Sequence, residues 1–129
     1  MYTIYHNPRC RKSREALHYL KKHSKQVEVI NYFNEPISKF NLKEILDKIK
    51  HKPSQVLRKN EADWKAVADK NLLTEDDILD ILVKYPKTLE RPIVISEDSG
   101  VIARPIENLI LFLNSNQTRS ILISKKNLN

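Results

Sequence analysis

TIYHNPRCRKSREAL, residues 3–17, is the stretch that decides the fold of this 129-residue chain. A short β-prone opening is followed by a turn, and a helix is predicted to begin near Cys10 with Ala16 and Leu20 on one face. Val27–Ile30 is predicted to be a second strand. A strand, a helix and a strand in this order predict a parallel βαβ unit with a right-handed crossover.

The middle of the chain, about 38–87, is predicted to be helical. Ser38 is expected to cap one helix, and Thr74 with Asp77 resembles a capping box that begins another. Pro86 is expected to end that second helix, because a proline disfavours helical geometry in the residue before it. This segment is therefore predicted to be a helical insertion in the sheet.

The last part of the chain predicts two strands and a helix. Ile93–Ile95 and Val101–Ala103 are separated by Ser96–Gly100, five residues that suit a hairpin connection. Pro105 suits the first turn of a final helix whose apolar face ends at Leu113. The order βαβ, helices, ββα indicates the α/β class and resembles a thioredoxin-like mixed sheet with a helical insertion.

The composition, 40% hydrophobic and 30% charged, is typical of one globular domain. We assign residues 1–113 to this domain and residues 114–129 to a basic polar C-terminal tail that is expected to be mostly loose. No apolar run approaches the roughly 20 residues that cross a bilayer, and the N terminus lacks the pattern of a secretory signal. We therefore expect a cytoplasmic protein that does not associate with membranes.

Two rare residue types and the charge exclude several functions. The single glycine excludes a dinucleotide-binding turn and a Walker A loop. The single cysteine excludes an internal disulfide and a multi-thiolate zinc site, so no bound metal or cofactor is expected. The net charge of +7 favours an anionic ligand or an acidic partner. Without a zinc-finger spacing or an RNA-binding aromatic motif, nucleic acid is not the expected partner.

Cys10 is the candidate nucleophile. The predicted strand-to-helix turn places it where free backbone N–H groups and the helix dipole favour a thiolate. Arg9, Arg11, Lys12 and Arg14 surround it with positive charge. Such settings lower the pKa of a cysteine from about 8.5 to roughly 3.5–7.5. The sequence therefore predicts a reactive thiolate and not an inert buried thiol.

Two polar residues beside Cys10 are candidate catalytic helpers. His6 either hydrogen-bonds the sulfur or transfers protons, or it has a purely structural hydrogen bond. Ser13 either donates its hydroxyl to the thiolate or satisfies the backbone of the first helical turn.

A helix N terminus that favours a thiolate also suits a bound oxyanion, and arginine forks bind tetrahedral oxyanions well. Away from the first helix, the predicted domain contains Arg58, Arg91 and Arg104. Arg91 and Arg104 each precede a proline next to a late strand. These strands are expected beside the first one, so both guanidinium groups are predicted to approach Cys10.

Four segments, in this order, resemble the glutaredoxin-coupled arsenate reductase family. They are Tyr5–Cys10 with Ser13-Arg14, Leu57–Glu61, Arg91–Val94 and Arg104-Pro105. The resemblance implies a thioredoxin-like fold with a helical insertion. It also implies roles for individual residues: Cys10 as nucleophile, His6 as the nearby histidine, Arg58, Arg91 and Arg104 as oxyanion ligands, and Pro92 as a cis-proline facing the site.

The resemblance further implies an arsenate reductase mechanism with external reductants. The Cys10 thiolate attacks arsenate, glutathione attacks the resulting adduct, and glutaredoxin completes the cycle as arsenite is released. A protein with one cysteine has no second thiol of its own, so the second thiol must come from outside.

The residues after the nucleophile differ from the arsenate-reducing members. Those members usually have Gly-Thr there, whereas this chain has Arg11 and Lys12, which look more like the Spx regulators of RNA polymerase. Spx regulators generally carry a Cys-x-x-Cys switch, but Asn7 occupies its first position here. Two alternatives therefore remain: a glutathione-dependent thiol reductase without arsenate activity, and a non-enzymatic regulator that binds RNA polymerase.

Overall fold

The computed structural model describes residues 1–127, with the side chains of residues 1–119, 121 and 122. The strands are β1 (Tyr2–His6), β2 (Val27–Asn31), β3 (Ile93–Ile95) and β4 (Gly100–Ile102). The helices are α1 (Arg11–His23), α2 (Lys39–Ile49), α3 (Ala62–Lys65), α4 (Glu75–Lys84) and α5 (Ile106–Asn127). Short 3₁₀ turns at Pro53–Val56, Lys70–Leu72 and Pro86–Thr88 connect the middle helices.

The four strands form one mixed sheet in the order β2-β1-β3-β4. β1 and β2 are parallel, with His6 opposite Asn31. β3 is antiparallel to β1, with Tyr5 opposite Ile93, and β4 is antiparallel to β3, with Ile93 opposite Ile102. This topology confirms the predicted βαβ unit and the ββα unit that extends it.

Side chains alternate across the strands and build a core on each face of the sheet. Ile4 and Val94 are fully buried and pack with Leu20 of α1 and Leu109 of α5. On the other face, Ile93 packs with the apolar side chains of α2 and α4. The helical insertion therefore covers one face, and α1 and α5 cover the other.

The helices of the insertion begin at the predicted caps. The Ser38 hydroxyl accepts a hydrogen bond from the backbone N–H three residues further on, at the start of α2. Thr74 and Asp77 form a reciprocal capping box at the start of α4, and this helix ends at Lys84, two residues before Pro86. Each cap supplies partners for backbone N–H groups that have none within the helix.

The last helix is longer than the sequence suggested. α5 continues to Asn127, whereas we expected the helix to end near Leu113 and residues 114–129 to form a loose tail. That expectation was wrong for residues 114–127, because no glycine or proline follows Pro105 and polar residues are compatible with a solvent-facing helix. Whether residues 114–129 are separate from the domain stays a prediction. None of the described helices has the length and apolar character that crossing a bilayer requires.

The single glycine has a packing role in the predicted hairpin. Ser96 N–H donates to the Ser99 carbonyl at 2.8 Å and closes the turn, and Gly100 is the first residue of β4. A Cβ atom at Gly100 would lie 2.8 Å from Ile95 Cγ2 and 2.9 Å from Ile49 Cγ2. The backbone of Gly100 does not have a positive φ. Close packing of the hairpin against α2 therefore requires the glycine here, and turn geometry does not.

Candidate active site around Cys10

Cys10 is the N-cap residue of α1. Its backbone is extended (φ −92°, ψ 120°), and its carbonyl accepts the first helical hydrogen bond, from Arg14 N–H at 3.0 Å. Cys10 N–H donates to the Asn7 carbonyl at 3.0 Å, which fixes the turn between β1 and the helix. The thiol is partly exposed. As predicted from the sequence, the sulfur lies at a helix N terminus and is accessible to a reactant.

The pKa of the Cys10 thiol lies below its ordinary value. Partial burial opposes this shift, because burial favours the neutral thiol. The backbone N–H of Ser13, the Arg91 side chain and the backbone N–H of Lys12 donate to the sulfur and together outweigh burial. The charge of Arg91 adds to their effect. The helix terminus and one distant arginine therefore both favour the thiolate.

His6 and Ser13 are bonded to each other and not to the sulfur. His6 Nδ1 lies 2.6 Å from Ser13 Oγ, and Asn7 N–H donates to the same oxygen at 3.1 Å. Both His6 and Ser13 are buried. Of the two alternatives for Ser13, donation of its hydroxyl to the thiolate is not found, since the hydroxyl contacts His6 and Asn7 and the group of Ser13 that acts on the sulfur is its backbone N–H. The hydroxyl joins the end of β1 to the first turn of α1.

The environment of His6 favours the neutral imidazole. Burial lowers the pKa of His6, and the positive charges of Arg14 and Lys21 lower it further. A neutral ring has one N–H and one acceptor nitrogen, so it suits the short contact with Ser13 Oγ in either tautomer. His6 therefore orients the loop before Cys10. It makes no hydrogen bond to the Cys10 sulfur.

Two of the three predicted arginines lie against the sulfur. Arg104 Nη1 is 3.9 Å from Cys10 Sγ. The Arg91 guanidinium group acts on the sulfur and lowers the pKa of the thiol, and its Nη1 donates to the Lys87 carbonyl at 3.1 Å. Arg91 precedes β3 and Arg104 follows β4, so both guanidinium groups come from the open end of the β3–β4 hairpin.

Arg58 lies at the edge of this cluster and is held by carboxylates. Its Nε is 3.4 Å from Glu61 Oε1, and its Nη1 is 3.5 Å from Glu90 Oε2. Arg58, Glu90 and Arg104 line a cavity of about 380 Å³. The structure thus brings Arg58 to the same cavity as Arg104, although no hydrogen bond joins Arg58 to the sulfur.

Both arginines that reach the sulfur precede a cis-proline. The Arg91-Pro92 bond is cis, as the family resemblance implied, and Pro92 is buried. The Arg104-Pro105 bond is also cis, which the sequence did not indicate. Pro105 precedes α5, which begins at Ile106, so the expectation that it lies in the first helical turn is corrected by one residue.

Sequence reasoning missed two residues of the site. Glu90 was not singled out, yet it pairs with Arg58. Tyr32 is 2% exposed, and the charges that act on its hydroxyl include those of Arg91 and Cys10. Its position directly after β2 was the available signal, because parallel strands end at the same edge of the sheet.

Positive side chains surround the entrance to the site. Arg11 and Lys12 are exposed, and Lys12 pairs only loosely with Glu15 at 3.9 Å. Among the described residues, no group of histidine, cysteine, aspartate or glutamate side chains is arranged to hold a metal ion.

The fold and site define a thioredoxin-like protein with a cysteine at the N terminus of its first helix. Residues 5–110 match the sequence profile of the ArsC family, and the chain belongs to that family.

Individual relatives match most of the chain. An arsenate reductase of Neisseria meningitidis serogroup A is 34% identical over 108 residues, which cover 82% of this chain and 92% of the relative. The uncharacterized protein YfgD of Escherichia coli is 36% identical over 110 residues, covering 83% and 92% of the two chains. The solved arsenate reductase from Vibrio cholerae has a TM-score of 0.79 and 30% identity, and the match covers 84% of this chain and 94% of that one.

Proposed function

We propose that this protein is a thiol-dependent oxidoreductase that reduces arsenate to arsenite with Cys10 as the nucleophile. The observation that carries the proposal is the 3.9 Å approach of Arg104 Nη1 to Cys10 Sγ at the N terminus of α1. A thiolate flanked by a guanidinium group and free backbone N–H groups suits attack on a small oxyanion. The arsenate reductase relatives at about one-third identity support arsenate as the substrate.

In the proposed first step, the Cys10 sulfur forms a bond to the arsenic of arsenate, and an oxygen leaves as water after it is protonated. The negative charge that develops on the remaining oxygens is stabilised by Arg91, Arg104 and the N terminus of α1. We assign Arg58 to the same task from the far side of the shared cavity, with Glu61 and Glu90 setting its orientation. Arsenic stays As(V) in this step.

Reduction follows when an external thiol attacks the adduct. Two sulfurs become a disulfide and supply the two electrons that convert As(V) to As(III), and arsenite leaves. We propose glutathione as this thiol and glutaredoxin as the protein that returns Cys10 to the thiolate by exchange. The chain has one cysteine, so it cannot form this disulfide alone. The cycle needs no bound metal or cofactor, and we propose that it takes place in the cytoplasm.

The test is arsenate-dependent NADPH oxidation with glutathione, glutaredoxin and glutathione reductase. Wild-type protein is expected to turn over, and Cys10→Ser is expected to be inactive. Replacing glutaredoxin with a thioredoxin system distinguishes the two kinds of reductant. No turnover with either system, or equal turnover by Cys10→Ser, would contradict the proposal.

The exposed charges around the thiol favour a second candidate function. Arg9, Arg11 and Lys12 are exposed beside Cys10, and they suit an acidic protein surface as well as an oxyanion. A regulator that binds RNA polymerase would use this surface without turnover. Recovery of polymerase subunits by wild type and by Cys10→Ser alike, with no arsenate turnover, would support this candidate. Reduction of a glutathione mixed disulfide without arsenate turnover would instead indicate a thiol reductase.

A further inference from the structure

The Tyr32 hydroxyl is buried and has no hydrogen-bond partner within the described part of the chain. The residue is 2% exposed, and its ring stacks on Phe33 with centroids 4.7 Å apart. Buried tyrosine hydroxyls usually have a partner, so a hydroxyl without one calls for an explanation. Arg91 Nε is the other buried side-chain donor in the described residues that lacks a partner.

Both donors without partners belong to residues at the end of the sheet where β1 leads into the Cys10 loop. Tyr32 directly follows Asn31, which is opposite His6 in the parallel β1–β2 pair. The loop after His6 leads to Cys10, so Tyr32 and Cys10 both lie where the parallel strands end. The charged groups that act on the Tyr32 hydroxyl are Arg91, Cys10, Arg58 and Glu90. The hydroxyl therefore belongs to the cluster around the sulfur.

We propose that the Tyr32 hydroxyl donates a hydrogen bond to an oxygen of the tetrahedral oxyanion bound at Cys10, next to Arg91 Nε. Tyr32 is then a further substrate-binding residue of the active site. This inference rests on the proposed function, because the ligand is the oxyanion that Cys10 attacks. A neutral donor adds a directed contact to an anion that the arginines attract through charge.

The protonation state of Tyr32 is consistent with a donor. Burial raises its pKa far above the ordinary value, the charges of Cys10 and Glu90 raise it too, and the opposing effects of Arg91 and Arg58 are smaller. The hydroxyl therefore keeps its proton at neutral pH. A protonated phenol can donate a hydrogen bond to an anion, and it carries no negative charge that would repel the anion.

The alternative is that Tyr32 is only a core side chain. It packs with the apolar residues on the insertion side of the sheet, so its ring contributes to folding in either case. Tyr32→Phe keeps the ring and removes only the hydroxyl. If the hydroxyl has no ligand, removing it leaves anion binding unchanged, because no bond to the anion is lost.

The experiment measures how arsenate and phosphate protect Cys10 from alkylation by iodoacetamide. Tyr32→Phe is expected to weaken protection by both anions about 10- to 100-fold, the loss of one hydrogen bond to a charged group. The rate of alkylation without anion, and its pH dependence, are expected to match wild type. Tyr19→Phe is the matched control, since Tyr19 lies on α1 and packs against the core on the other face of the sheet. Anion protection in this variant should equal that in wild type.

Each outcome decides the inference. Protection in Tyr32→Phe equal to that in wild type would overturn it and leave the proposed function intact. A shifted alkylation profile without anion would also overturn it, because Tyr32 would then act on the sulfur and not on the oxyanion. No protection in wild type by either anion would overturn the proposed function together with the inference.

Discussion

Arg104 Nη1 lies 3.9 Å from Cys10 Sγ, although 94 positions separate the two residues in the chain. Two antiparallel pairings bring them together: Ile93 of β3 lies opposite Tyr5 of β1 on one side and Ile102 of β4 on the other. The residues just after β1, just before β3 and just after β4 therefore share one edge of the sheet. Strand pairing thus places Cys10 and two arginines side by side.

The planar guanidinium geometry of Arg104 is expected to contribute to catalysis in addition to its positive charge. Arg104→Lys keeps a positive charge but loses the planar pair of donors, so kcat/KM for arsenate is expected to fall about 10²-fold. Steady-state NADPH oxidation measures the change. The matched control is Arg119→Lys, because Arg119 is exposed and pairs with Asp98 away from the sulfur. Wild-type kcat/KM in Arg104→Lys would show that charge alone is needed at position 104.

The pH dependence of Cys10 alkylation is expected to report a thiolate favoured by its surroundings. Half-maximal reactivity should occur below about pH 8.5, the value of a free cysteine. Arg91→Ala removes a donor and a positive charge from the sulfur, so the half-maximal pH should rise toward that of a free thiol. Quenched alkylation reactions with iodoacetamide, analysed by mass spectrometry, measure the pH profiles of wild type and Arg91→Ala. An unchanged profile in Arg91→Ala would remove Arg91 as a cause.

Ser13→Ala is expected to reduce stability while leaving the thiolate in place. The change removes the partner of His6 Nδ1 and of Asn7 N–H, and leaving buried polar groups unpaired costs about 1–3 kcal/mol of unfolding free energy. The alkylation profile should stay near that of wild type, because the backbone N–H at position 13 remains. Urea unfolding gives the first quantity, and Ser115→Ala, at an exposed site, is the control. A profile shifted toward that of a free thiol would assign the effect to the hydroxyl.

His6 is expected to make stability depend on pH below neutrality. Burial, Arg14 and Lys21 hold its folded-state pKa below 6.5, the value expected in the unfolded chain. As pH falls through 6.5, the unfolded chain binds a proton before the folded protein does, so stability falls until the folded pKa is passed. Urea unfolding at pH 7.5 and 5.5 should show this loss in wild type. His6→Asn should show a smaller pH difference, and an equal one would contradict the assignment.

Gly100→Ala is expected to destabilise the hairpin. The new methyl group would lie under 3.0 Å from Ile95 and Ile49 side-chain carbons, and overpacking of this kind typically costs about 1–3 kcal/mol. Thermal unfolding of the variant against wild type measures the loss. Because position 100 is away from the sulfur, the Cys10 alkylation profile should not change. An unchanged unfolding midpoint would show that Ile49 and Ile95 move aside without cost.

Local sequence patterns predicted most of the fold. The β-prone start, the turn before Cys10 and the apolar face of the first helix indicated the βαβ unit, and the caps at Ser38 and Thr74 marked where helices begin. These signals act over three or four residues, so they are readable along the chain. The end of the last helix could not be predicted from the sequence, because residues 114–127 contain neither a helix-stop signal nor a strong apolar pattern.

The sequence by itself determined two things about this protein. It determined the α/β fold with a helical insertion, and it determined that Cys10 lies at a helix N terminus among positive charges. Only the tertiary structure decided which groups reach the sulfur. Arg91 and Arg104 do so, Arg58 is drawn to Glu61 and Glu90, and the Ser13 hydroxyl binds His6. Capping and helix dipoles depend on neighbours along the chain. Contacts between side chains far apart in sequence depend on strand order and register, which sequence spacing does not specify.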